Sequence, residues 1–185
     1  MTTIIKDGSG SGHAAKVDCY NRLKTQSTIV TLEHFSNIHD GQAYSMVFAQ
    51  TPEAGARFVV IQNLSSHNMV IEGVMLWAQS DEKIGVGIGS LGIPLDVTSV
   101  EPTNLNAGSN NSAIGVFGVG TNITGLTGGC NVTNYRLKGN DSSKWFNFNA
   151  DIILPRNGIF CMSATNGSIL IEGHVLFVYD MINGC

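Results

Sequence analysis

Charge is what this sequence has least of. Only 13% of its 185 residues are Asp, Glu, Lys or Arg, against about 25% in an ordinary soluble domain. The ten Lys and Arg are scattered, the net charge is −4 and the pI is about 5.6, so no nucleic-acid surface is expected. No run approaches the roughly 18 apolar residues that cross a bilayer, and no charged segment followed by an apolar one opens the chain, so neither a membrane span nor secretion is expected. The four cysteines, Cys19, Cys130, Cys161 and Cys185, form no C-x-x-C pair, which argues against zinc or dithiol exchange and reads them as free thiols.

Catalytic signatures are missing as well. There is no G-x-S-x-G, P-loop or H-E-x-x-H. The five histidines, His13, His34, His39, His67 and His174, include no His-x-His. A metal site assembled from His34, His39, Glu33, Asp40, Glu172 and His174 would need the fold to gather unrelated segments. The reading is a non-enzymatic chain with no metal and no cofactor.

What is present is apolar. Hydrophobic residues make up 43% of the chain and the mean hydropathy is +0.11. With so few charges to cover it, the folded chain exposes neutral and apolar area, and association with copies of itself is the simplest way to bury that area. Short runs rich in Val, Ile, Phe and Met, bounded by Gly, Pro, Asn and Ser, predict strands over Gln42–Ala49, Ala56–Gln62, Met69–Ala78, Lys83–Gly87, Val132–Leu137, Lys144–Phe148, Gly158–Ala164 and Ile169–Tyr179. Thr31–Asp40 offers the one helical turn. Residues Gly89 to Thr133 read as an irregular surface excursion with weak strands near Ala113–Val119. The class expected is all-β, a jelly-roll or Greek-key β-sandwich spanning residues 28–185, preceded by an extended N-terminal arm over residues 1–27.

Phe58–Trp77 (FVVIQNLSSHNMVIEGVMLW) and Phe160–Phe177 (FCMSATNGSILIEGHVLF) echo each other through Ile71-Glu72-Gly73 and Ile171-Glu172-Gly173. Each copy reads as a hairpin, strand, polar turn, strand. Simple alternation places Met69, Ile71, Gly73, Met75 and Trp77 on one face, and Val70, Glu72, Val74, Leu76 and Ala78 on the other. In the second copy Leu170, Leu176 and Val178 share a face with Glu172 and His174. Faces apolar on both sides call for cover from a loop or a neighbouring subunit.

Several constellations are weighed and set aside. Gly87-Ile88-Gly89-Ser90-Leu91-Gly92 matches G-x-G-x-x-G, but Ile93-Pro94 follows and no helix opens, so it reads as a loop and not a dinucleotide site. Glu72 and Glu172 sit in apolar strands before glycines that mark bulges, and their shared position predicts a structural carboxylate over a hydrolytic pair. Tyr135, Trp145 and Phe148 are candidate stacking aromatics for sugars, with core packing as the plainer reading. The sequons at Asn63, Asn122 and Asn131 read as polar loops.

The opening 25 residues have no apolar periodicity and carry Gly8-Ser9-Gly10-Ser11-Gly12, a composition that orders only against a partner. Lys6-Asp7-Gly8-Ser9-Gly10-Ser11-Gly12, Ala15-Lys16-Val17 and Asn21-Arg22-Leu23 resemble the amino-terminal signature of tailed-bacteriophage structural proteins, K-D-G-T-G-x-G, A-K-V and N-R-L. Gly41-Gln42-Ala43-Tyr44, Asn106-Ala107-Gly108-Ser109 and Asn122-Ile123-Thr124-Gly125-Leu126 resemble the same group. Ser9 stands where the pattern often has threonine. The resemblance implies a virion protein, a capsid decoration or cement protein that forms a homotrimer and touches the major capsid protein or another virion protein. Tail or fibre receptor-binding or glycan-binding is the alternative. The assembly residues expected in the arm are Lys6, Asp7, Gly8, Gly10, Gly12, Lys16, Val17, Tyr20, Asn21, Arg22 and Leu23.

Overall fold

The structure, a computed structural model, describes residues 36–180 together with Ile5–Lys6 and Ala14–Ala15. The chain divides into two units, Met1–Val30 and Thr31–Cys185. In the first, β1 (Ile5–Lys6) pairs antiparallel with β2 (Ala14–Ala15). The other arm residues named above, Asp7, Gly8, Gly10, Gly12, Lys16, Val17, Tyr20, Asn21, Arg22 and Leu23, lie outside the described residues.

Among its described residues the second unit is all-β apart from one π-helical turn at Ser36–Asp40. Its strands are β3 (Ala43–Gln50), β4 (Arg57–Asn63), β5 (Asn68–Ala78), β6 (Glu82–Leu95), β7 (Thr98–Ser99), β8 (Thr103–Asn104), β9 (Gly115–Leu137), β10 (Lys144–Leu154), β11 (Ile159–Ala164) and β12 (Ile171–Asp180). They form two antiparallel sheets, ordered β10-β5-β12-β3-β8 and β4-β11-β6-β9-β7. Aromatic residues join the sheets across the core. Tyr44 stacks on Phe177 at 5.4 Å and Phe177 on Phe117 at 5.2 Å, while Phe48 meets Phe58 and Phe148 meets Phe160 edge to face. The Tyr179 hydroxyl closes one end, donating to the Ile114 carbonyl at 2.9 Å and accepting from the Ile114 N–H at 2.8 Å. Burial pushes that phenol's pKa well up.

Three expectations are corrected. The middle of the chain is irregular only over residues 96–114, where β7 and β8 are two residues each: β6 runs on to Leu95, and β9 is a 23-residue strand. Its first part pairs with β4, and Thr124–Leu137 pairs with β6, so the glycine motif at 87–92 lies in a strand. Gly and Asn are poor strand formers alone, but a ladder partner supplies their backbone bonds. This ribbon turns back over the outside of the second sheet, burying Ile123 and Leu126 against Val60 and Ile159, with Val97 packed on them.

The echoing segments are not hairpins. In each copy the first strand lies in the second sheet and the second strand in the first, so both connections arch over the core. The copies pair with each other, β4 with β11 and β5 with β12.

The third correction concerns β5. Its register slips between Ile71 and Gly73 opposite Phe177 and Leu176, leaving Glu72 as the extra residue of a bulge. The bulge reverses the alternation. Met69 and Ile71 face inward before it, and Val74, Leu76 and Ala78 face inward after it.

Candidate functional site

The β5 bulge determines what the first sheet shows to the outside. Beyond it Gly73, Met75 and Trp77 point outward, joined by Ser45, Val47 and Ala49 of β3 and by Glu172, His174 and Leu176 of β12. Register aligns them in rows across the sheet: Ala49, Glu172, Trp77; then Val47, His174, Met75, Trp145; then Ser45, Leu176, Gly73, Asn147. Glu172 is the one carboxylate in these rows and no Lys or Arg occurs in them. Val47 is 64% exposed, Trp145 43%, and nearby Ile153 52%. Trp145 lies flat over Gly73, where a Cβ would come 2.6 Å from the Phe146 carbonyl and meet the indole. A shallow groove of about 530 Å³ runs along the face between Val47, Met75, Trp77 and Ser143.

His174 sits in the centre of this face. Val47 and Met75 flank it on neighbouring strands, the Trp145 ring lies 5.9 Å away, and Glu172 is two residues along the same strand. Burial lowers its pKa below the ordinary 6.5, so the fold prefers the neutral ring. The stabilisation is fully present above about pH 6.5 and is lost as the pH falls through the depressed folded value. The denaturation midpoint is therefore expected to drop more between pH 7 and pH 5 in the parent chain than in His174→Gln. Parallel profiles from thermal melts would contradict this.

The other expected residues are dispersed. Glu172 pairs with Trp77, five positions along β5 from Glu72, roughly 17 Å by strand rise, beyond the spacing of a glycosidase pair. The two glutamates also differ in role, since Glu172 lies in regular register and Glu72 in a bulge. A carboxylate that does bind backbone is Glu82, 3% exposed at the start of β6. Of the aromatics, Tyr135 stacks on Phe146 at 3.8 Å and Phe148 is buried, leaving Trp145 on the surface. Asn63 is buried and bonded, not a glycan acceptor. Cys130 is an exposed free thiol and Cys161 a buried one; Cys19 and Cys185 lie outside the described residues. Among the described residues no three His, Cys, Asp or Glu side chains converge on one point.

Two motifs behind the phage resemblance meet in space. Asn104 Nδ2 donates to the Gly41 carbonyl at 2.8 Å, Asn106 Nδ2 to the Asn37 carbonyl at 2.8 Å, and Asn111 Nδ2 to the Asp40 carbonyl at 2.8 Å. Gly41 has φ +58, and a Cβ there would overlap Ser109. The pattern therefore clamps the 104–111 loop onto the chain leading into β3, a structural role that sequence spacing alone did not reveal.

Fold and face together define an all-β protein of two antiparallel sheets, the first of which has an outer face covered at the Ala43, Val70 and Val178 end by Ala150 and, along the rows from Ser45 to Ala49, by no other described strand. No family model, curated protein or solved structure matches the chain.

Proposed function

We propose that this is a non-enzymatic structural protein of a tailed-bacteriophage virion, a capsid decoration or cement protein. In this reading it is a jelly roll that associates with copies of itself as a homotrimer through the outside of its first sheet. The jelly-roll reading is supported by the strand order, with β4 beside β11 in one sheet and β5 beside β12 in the other. One observation carries the assembly reading. The chain covers the outside of its second sheet with its own ribbon but leaves Val47, Met75, Trp77, Trp145 and Leu176 outward on the first. Tryptophan and methionine with almost no charge is the composition of an interface core, not of an average surface. The rows span roughly 20 Å by 20 Å, the apolar centre of an interface that gives about 800 Å² per partner. Such a face also keeps His174 neutral.

Light scattering after gel filtration tests this. The parent chain is expected near three times the 19.7 kDa of one copy, and Met75→Lys near one, with its far-ultraviolet circular dichroism unchanged. A parent chain that is monomeric at micromolar concentration would sink the reading. The arm's part is tested separately: removal of residues 1–27 is expected to abolish incorporation into virions while leaving the trimer intact.

A second reading, a receptor- or glycan-binding module of a tail or fibre, draws on the ribbon. Leu91, Ile93 and Leu95 are 72%, 76% and 55% exposed on one side of β6. Saturable binding to host cells that Ile93→Asp removes would favour it over the capsid role.

A further inference from the structure

We propose that a glycine-floored trough on the outside of the second sheet binds a small oxyanion, a carboxylate or sulfate group. This site is separate from the assembly face and does not depend on it. The observation behind it is a cavity that lies over Gly85 and Gly87 of β6, the strand between β11 and β9, with Arg57 in its lining. Ile84 and Val86, in the alternate positions, are core, so Gly85 and Gly87 face outward. Neither has positive φ. The backbone there does not require glycine, and what glycine supplies is room for Ser163 and Cys161 from β11 and Asn134 from β9 to reach over the strand.

Polar atoms lean over that bare strand from both sides. A Cβ on Gly85 would stand 2.9 Å from Ser163 Oγ and 3.4 Å from Asn134 Oδ1, and one on Gly87 would stand 3.2 Å from Cys161 Sγ. Asn131 Nδ2 donates to Asn134 Oδ1 at 3.1 Å. The cavity so formed holds about 220 Å³, room for one acidic sugar ring or a simple anion and not for a polymer chain.

Arg57 sets the charge. Its guanidinium lines the trough, and no carboxylate does. Two of its five N–H groups donate to the carbonyls of Leu126 at 3.0 Å and Gly128 at 3.3 Å. Those bonds tether the ribbon, and they also fix the guanidinium so that its remaining donors need no ordering on binding. An oxyanion would accept from them, with Ser163 and Asn131 as neutral partners.

The test is titration of ¹⁵N-labelled full-length protein with sodium galacturonate, sodium sulfate or glucose, each to about 10 mM, above the weak end of specific affinity. The amides of Gly85 and Gly87 and the Arg57 Nε–H are expected to shift saturably with an anion and not with glucose. A response to galacturonate alone identifies an acidic sugar, and an equal response to sulfate identifies the free oxyanion. Arg57→Met is expected to weaken binding at least about ten-fold. Because that change also releases the ribbon, Gly87→Ala, which narrows the floor and leaves Arg57 in place, is expected to weaken it too. Equal shifts with glucose, no saturable shift with any of the three, or unchanged binding in Arg57→Met would overturn the proposal.

Discussion

Replacing Glu82 with alanine is expected to lower the stability of the β-domain by about 4 kcal/mol, the largest loss from any single side-chain truncation proposed here. Glu82 is 3% exposed and is held wholly by backbone. Its Oε1 accepts from the N–H groups of Lys83 at 2.8 Å, Thr165 at 3.1 Å and Asn166 at 2.9 Å, and its Oε2 accepts from Gly167 at 2.8 Å. Three of these donors belong to the arch between β11 and β12. Bonds to a carboxylate are roughly twice as strong as neutral ones, and alanine removes all four, with only the Thr165 N–H keeping a second acceptor, the Lys83 carbonyl at 3.0 Å. For a domain of this size the melting temperature should fall by about 12 °C. Glu82→Gln separates charge from shape, because one carboxylate oxygen becomes an NH₂ that faces an N–H. It should lose about 2 kcal/mol. Urea unfolding followed by circular dichroism measures both, and a Glu82→Ala loss below about 1 kcal/mol would show that water replaces the carboxylate freely.

Asn63→Ala is expected to lose about 3 kcal/mol, through the matching arch between β4 and β5. Asn63 is fully buried. Its Nδ2 donates to the carbonyls of His67 at 2.8 Å and Leu154 at 2.9 Å, and its Oδ1 accepts from the Ser65 N–H at 2.9 Å. Truncation strands these three backbone groups and opens a small void. Asn63→Asp is the sharper test. It is nearly isosteric, yet it turns a donor aimed at two carbonyls into a third acceptor, so it should be at least as damaging as alanine. An Asn63→Asp chain as stable as the parent would mean the packing of the side chain matters and its hydrogen bonds do not. Hydrogen exchange should localise the damage to residues 64–67 and the end of β10.

The two pins show where sequence reasoning reached and where it stopped. The echo between residues 58–77 and 160–177 was visible as text, as was a bulge at Gly73, whereas the bulge expected at Gly173 is absent, since Glu172, Gly173 and His174 keep regular register with β5. That the echo describes two arches paired strand against strand was not, because a hairpin and an arch have the same local pattern and differ only in which sheet takes the second strand. Glu72 and Glu172 attracted notice through their apolar surroundings. Glu82, a carboxylate bound to backbone, did not, because three of its four partners lie 83 to 85 residues away. Of the candidate site, apolar residues on both sides of β5 and β12 were legible. Which of them face outward was not, since a single extra residue in β5 reverses the alternation for the rest of the strand.

By itself the sequence determined the all-β class, the positions of most strands and the shortage of charge. These are properties of composition and of a two-residue period, and every short segment carries them independently. Only the tertiary structure decided that the ribbon of β6 and β9 packs on the outside of one sheet while Val47 and Trp145 stay exposed on the other, that two buried polar side chains hold the arches, and that Arg57 meets a row of glycines. Each of these joins strands brought together by the fold, often from segments tens of residues apart, and no local rule of residue preference encodes such a pairing.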